Sequence, residues 1–217
     1  MLKELLEKHR IEPAKVIACD WKKVVKLDLS KNNQALEGLD LNSEEDFGQF
    51  IFNQLPEGSI GYGGYGEERS LYSRSDLFSD EEPRTIHLGV DLWSDPGTPV
   101  FAPLEGKIHS FDNRAFHGDY GPVIILEHLI GETKLYSLYG HLSLKSLEGK
   151  SVGQVIKQDE QFAWLGDYAE NFHWPPHLHF QLIWDMQGKI GDYPGVCKAS
   201  ERKAYLQNCP NPALLLC

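Results

Sequence analysis

Nine histidines occur in this chain of 217 residues, and five residues that could do chemistry together fall into three short motifs. The motifs are His87-Leu-Gly-Val-Asp91, Tyr139-Gly-His141 and His177-Leu-His179, the last inside Pro175-Pro-His-Leu-His-Phe-Gln181. Side chains alternate faces along a strand, so residues two or four apart point the same way. His87 and Asp91 can therefore share one face of a strand, as can His177 and His179. A helix would also bring i and i+4 together, but Gly89 and the turn Ser94-Asp-Pro-Gly97 argue against one. Gly89 sits between His87 and Asp91, where a side chain would crowd a site. Zinc in a catalytic centre takes three protein ligands from histidine and carboxylate and leaves one position for water. His87, Asp91 and one histidine of the H-x-H pair supply such a set. The metal would bring the pKa of its water from about 15.7 towards about 7 and polarise a bound carbonyl. The two remaining histidines would be free to orient the water, move protons and stabilise an oxyanion. Two histidines and a carboxylate also form the facial triad of mononuclear iron oxygenases. The H-x-x-x-D spacing and the two extra histidines disfavour that reading. His9, His109, His117 and His173 read as surface or satisfied core residues. His128 ends a strand-like run and reads as a structural hydrogen-bonding group.

The elements that must position these residues are predominantly β. Twenty Gly and twelve Pro imply many turns. Ten Phe, nine Tyr and five Trp demand burial and exclude disorder as the main state. Short β-rich runs alternate with turn signals between residues 84 and 186: Thr98–Ala102, Lys107–Phe111, Val123–His128, Lys134–Tyr139 and His177–Trp184. Residues 1–83 read as an extension with a short amphipathic helix (Leu2, Leu5 and Leu6 on one face), a strand near Val24–Leu29 and a helix over Ser43–Leu55. A Gly- and Tyr-rich loop, Gly58–Tyr65, and the acidic run Asp80–Glu82 follow. Tyr62, Tyr65, Glu67 and Arg69 belong either to a loop that lines the groove or to a connector packed on the sheet. Trp174 reads as groove wall or core. Residues 187–217 form a loop-rich tail with a turn or two of helix near Ser200–Gln207.

Lys plus Arg number 21 and Asp plus Glu 32, a formal charge of −11. That balance disfavours nucleic acid or an anionic membrane as partner. No apolar run approaches the roughly 18–20 residues of a membrane-spanning helix. The start of the chain lacks the pattern of a secretory signal, which predicts a cytoplasmic protein. Cys19, Cys197, Cys209 and Cys217 are scattered without a C-x-x-C, as expected of free or buried thiols. Acidity beside the groove, in Asp80–Glu82 and Asp167–Glu170, favours a neutral or amine-bearing substrate over an anionic polymer.

The stretch from about Arg84 to Ile183 resembles the M23 family of zinc metallopeptidases, of the lysostaphin or LytM type. The residues that carry the resemblance are His87-Leu-Gly-Val-Asp-Leu-Trp93, Gly97-Thr-Pro-Val-Phe-Ala-Pro103, Gly106-Lys-Ile108, Tyr136 to Ser143, Gly153-Gln-Val155 and His177-Leu-His-Phe180. The resemblance implies a small antiparallel β-sandwich, here with an N-terminal α/β extension, and a groove over one zinc ion. It implies that His87, Asp91 and His179 bind the metal, and that His141 and His177 are catalytic. It implies hydrolysis of a peptide or peptide-like substrate, often a glycyl bond of peptidoglycan. A non-catalytic M23-like binding module is the alternative. Gly166 to Pro176 departs from the family, with aromatic and acidic residues where small ones are usual. Asp119-Tyr120 stands where Gly-Asn is common. The longer patterns, including Trp174-Pro-Pro-His-Leu-His-Phe-Gln181, are similar to M23-like modules fused to kinase-like and pyridoxal-phosphate aminotransferase domains.

Overall fold

The longest β-run, Gly121–Ile130, is apolar at nearly every position, and alternate residues enter different cores. Ile124 and Leu126 pack in one cluster, Val123 and Ile125 in another. A strand whose two faces are both covered needs this continuous apolar pattern. The computed structural model describes residues 1–74 and 81–216. In it an eight-stranded sheet runs in the order β1 (Val24–Leu27), β2 (Ile60–Gly63), β4 (Val90–Trp93), β11 (His177–Ile183), β8 (Thr133–Gly140), β7 (Gly121–Ile130), β6 (Gly106–Arg114), β9 (Val155–Ile156). The pairing is antiparallel except between β1 and β2. Two small antiparallel pairs complete the mainly β fold: β5 (Pro99–Phe101) with β10 (Gln161–Trp164), and β3 (Arg84–His87) with β12 (Val196–Lys198).

One face of the large sheet buries Val90, Leu92, Leu178, Phe180 and Leu182 against β5, β10 and the helix α1 (Leu2–His9), whose Leu2 and Leu6 are inserted. The other face, around Ile125, Leu138 and Ile183, is covered by Tyr193, Cys197 and Cys209. A third cluster joins α2 (Glu44–Phe52), through Phe47 and Ile51, to Trp93 and Trp174. Ser43 caps α2, its Oγ accepting from the Asp46 amide at 3.1 Å. Cys19, Cys197 and Cys209 are thiols not joined in disulfides. Cys217 and Asp80 lie outside the described residues.

Three local expectations are corrected. The Gly- and Tyr-rich loop contains strand β2, antiparallel to β4. His87 and Asp91 do not share one strand: His87 ends β3, Leu88-Gly89 breaks the run, and Asp91 lies on β4, in a different sheet. The tail carries strand β12 besides its loops and the helix expected near Ser200–Gln207, which is α3 (Arg202–Asn208). No helix among the described residues is long and apolar enough to cross a membrane.

Candidate metal centre

Strand register builds the site. On β11, Leu178, Phe180 and Leu182 face the core, which turns His177, His179 and Gln181 to the opposite face. On β4 the same alternation turns out Asp91 and Trp93. Antiparallel pairing then sets His179 across from Asp91, and His177 across from Trp93. The flanking strands contribute glycine at the same level: Gly63 on β2 pairs with Asp91, and Gly140 on β8 pairs with His179. A Cβ on Gly140 would lie 2.5 Å from the Tyr120 ring, so the row stays open for that side chain. His87 reaches the row from the end of β3, which β12 holds through the pairing of Val196 with His87.

Three atoms converge. His87 Nε2 is 3.1 Å from His179 Nδ1, and each lies 3.2 Å from Asp91 Oδ1. Their partners fix the tautomers. His87 Nδ1 lies 2.9 Å from the Gly64 carbonyl, which can only accept, so the proton is on Nδ1 and Nε2 carries a lone pair. Gln181 Nε2 donates to the Pro194 carbonyl at 3.1 Å, which orients the amide and leaves Oε1 2.9 Å from His179 Nε2. His179 therefore donates from Nε2 and presents a bare Nδ1. Two nitrogen lone pairs and a carboxylate oxygen thus meet with no proton between the nitrogens, an arrangement a cation relieves. Tetrahedral zinc at 2.0–2.2 Å keeps its ligand atoms about 3.3–3.6 Å apart. The three residues, all buried, therefore fit a metal ion of that class.

Electrostatics agree with this donor set. Burial, with the Arg69 charge beside it, lowers the His87 pKa to about 4. Burial works to raise the Asp91 carboxyl, but His87 and Arg69 outweigh it and hold it well below the ordinary carboxylate range. Both groups are thus in the deprotonated form that metal binding requires.

The other two motif histidines adjoin the same point. His177 Nδ1 donates to the Pro175 carbonyl at 2.8 Å, and its Nε2 is 3.9 Å from Asp91 Oδ1. Its ring stacks on Trp93 with centroids 4.1 Å apart. The ring of His141 is also 4.1 Å from that of His177. His141 follows β8 in the left-handed region, with φ at 62°, a conformation that costs a non-glycine residue about 1–3 kcal/mol. Its Nδ1 is buried without a protein hydrogen-bond partner. Burial lowers the pKa of His177 to about 4, and that of His141 well below its ordinary value.

A cavity of about 130 Å³, open to solvent, lies over these five residues. Arg69, Tyr72, Tyr120, Trp174 and Tyr193 are among its walls. Of the loop residues singled out in the sequence, Arg69 lines the cavity, while Tyr65 donates its hydroxyl to the Cys209 carbonyl at 2.5 Å. Trp174 is both wall and core. The acidic residues on the wall besides Asp91 are Asp119 and Asp192, not those of the 167–170 run. Glu82 instead bonds Ser200. His128 is structural: Nδ1 donates to the Glu105 carbonyl at 2.8 Å and Nε2 accepts from Ser137 Oγ at 2.6 Å. Sequence reasoning gave no role to Gln181, although its position two beyond His179 on a strand places it on the same face.

Residues 85–190 match the family model for peptidase family M23. Over 124 residues the chain is 35% identical to a Haemophilus influenzae protein described as an uncharacterized metalloprotease, a match covering 55% of this chain and 24% of that protein. The chain thus spans about a quarter of the length of this curated relative. Among solved structures, the catalytic domain of lysostaphin from Staphylococcus simulans is 26% identical, with 54% of this chain and 77% of that one covered and a TM-score of 0.38. A zinc-containing peptidase from Vibrio cholerae is 25% identical over 45% of this chain and 27% of that one, with a TM-score of 0.34. The stretch that matches the model of peptidase family M23 encloses His87, Asp91, His141, His177 and His179.

Proposed function

We propose that the chain is a zinc-dependent peptidase that hydrolyses a peptide or amide bond, with one zinc ion held by His87 Nε2, Asp91 Oδ1 and His179 Nδ1. The observation that carries this reading is the convergence of those three proton-free atoms at 3.1–3.2 Å. A bound zinc ion would bring the pKa of a water towards about 7 and polarise the scissile carbonyl. The chain's own residues do the rest. His177, locked by Pro175 and Trp93, presents its Nε2 lone pair to the cavity and can accept a proton there. His141 Nδ1 is buried and unsatisfied within the protein, as suits a group that meets substrate or water. Burial keeps both rings neutral near pH 7, the form able to take up a proton.

The substrate is a peptide or peptide-like molecule, with glycyl and peptidoglycan-type bonds the first candidates and internal cleavage the expected mode. We take 84–186 as the catalytic unit, 1–83 as an extension packed on it, and 187–217 as a tail. The longer motifs support a likeness to M23-like modules of the kind fused to kinase-like and aminotransferase domains. The thiols at Cys197 and Cys209 support a reducing, cytoplasmic setting.

Metal analysis of the purified chain should give one zinc per chain. The zinc form should cleave members of a panel of glycyl peptides, muropeptides and small amides. His141→Ala and His177→Ala should keep the metal and lose turnover. Zinc binding without turnover on the whole panel would reject the peptidase reading in favour of a metal-containing binding module.

A further inference from the structure

Resting on the zinc reading above, we propose that Arg69 is a positioning residue that engages Asp91 Oδ2, so that the carboxylate meets the metal through Oδ1 alone. Arg69 lies outside the matched family stretch, yet its side chain is 1% exposed and ends at a ligand of the site. Nη1 donates to Asp91 Oδ2 at 2.5 Å and to the Tyr72 hydroxyl at 3.3 Å. Nε donates to Glu67 Oε2 at 2.7 Å, and Nη2 to the Gly64 carbonyl at 3.4 Å. That carbonyl also accepts from His87 Nδ1, so one short loop orients two of the three ligands.

The loop is pinned in turn. Its backbone bonds the strand that carries His87: Gly66 N to His87 O at 2.8 Å, His87 N to Glu67 O at 2.9 Å, and Arg69 N to Thr85 O at 2.9 Å. Gly63 leaves the space the guanidinium fills, because a Cβ there would lie 2.8 Å from Arg69 Nη2. A carboxylate with two open oxygens can bind a divalent ion through one or both. The Nη1–H bond to Oδ2 disfavours the second mode and favours a low coordination number. Glu67 offsets the positive charge that would otherwise face the cation. Lysine keeps the charge but lacks the planar fork that spans Glu67 and Asp91. Groups that orient metal ligands in this way set metal affinity by about ten- to hundredfold.

The test uses the whole chain. Zinc affinity is measured by competition with a chromogenic chelator, and coordination number by the visible absorption of the cobalt(II) form, which weakens as coordination rises. Arg69→Lys should weaken zinc binding about ten- to hundredfold and lower the cobalt absorption. Glu67→Gln, which frees the rear of Arg69, should move both in the same direction by less. A role confined to folding would lower thermal stability and leave the cobalt spectrum of the folded variant unchanged. Wild-type affinity and spectrum in both variants overturn the proposal, and if Arg69→Lys does not fold, Glu67→Gln decides. Absence of zinc from the wild type, or its retention by Asp91→Asn, would instead overturn the zinc reading. A wild type that binds zinc, beside variants that do not differ from it, rejects the Arg69 assignment alone.

Discussion

Gly89 offers a perturbation whose size can be worked out from distances. A Cβ at this position would lie 2.7 Å from His179 Nε2, 2.7 Å from the Phe180 carbonyl and 2.8 Å from His179 Cε1. Ordinary contact begins at 3.4 Å, so about 0.7 Å must be recovered, and backbone on one side leaves the His179 ring to move. That shift also strains its 2.9 Å bond to Gln181. Metal–ligand distances tolerate about 0.2 Å, so the displacement exceeds the tolerance more than threefold. Gly89→Ala is expected to weaken zinc binding by at least about tenfold, or 1.4 kcal/mol. Overpacking should also destabilise the metal-free protein by about 1–3 kcal/mol. Gly48, in helix α2, is the matched control, because a methyl added there would meet nothing within 4 Å. Gly48→Ala should leave zinc binding alone and add about 0.5–1 kcal/mol of stability. Chelator competition and urea unfolding measure both quantities. Zinc affinity in Gly89→Ala within a factor of about three of wild type would refute the argument, since the ring then has freedom that the contacts deny it.

Two further outcomes are expected. Zinc at about one hundred times its Kd should add about 2.7 kcal/mol, or about 5–10 °C in Tm for a chain of this size. Calorimetry with and without chelator measures the shift, and an equal shift in Asp91→Asn would contradict the ligand assignment. Burial lowers the His128 pKa to about 4, whereas unfolding returns it to about 6.5. The unfolded chain therefore takes up this proton first as pH falls. The contribution is complete above about pH 6.5 and is lost towards pH 4, with about 2 kcal/mol gone by pH 5. Urea midpoints at pH 8 and 5 should show wild type losing about that much more than His128→Gln, and equal losses would count against the buried neutral histidine.

The chemistry was legible in the sequence because its signals are local. H-x-H on a strand fixes a shared face whatever the strand pairs with, and the apolar residues between the histidines identify the buried side. The pairing of Asp91 with His179 was not legible, because register across 88 residues depends on packing rather than on spacing. Ile60-Gly-Tyr-Gly63 read as a loop since glycine weakens strand propensity. It is a strand because β4 presents an open edge and the glycines fit against Trp93 and Asp91. The H-x-G-x-D run read as one strand, whereas Leu88 bonds the Gly195 carbonyl through its amide and the chain changes sheets there. Val196–Lys198 is too short to announce itself as a strand.

The place of β4 in the sheet has a consequence for the order of folding. Strands β6, β7 and β8 are sequential neighbours and pair through short turns. Asp91 and His179 are joined only when a loop of 88 residues closes, an entropic cost of about 4 kcal/mol before any contact is gained. Contacts of that kind form late, after local hairpins have supplied a surface to close on. The ligand set is thus a property of chains in which β4 and β11 have already paired. A collapsed intermediate holding only the 106–140 meander contains neither Asp91 nor His179 in place, and has no means of gathering a metal ion between them.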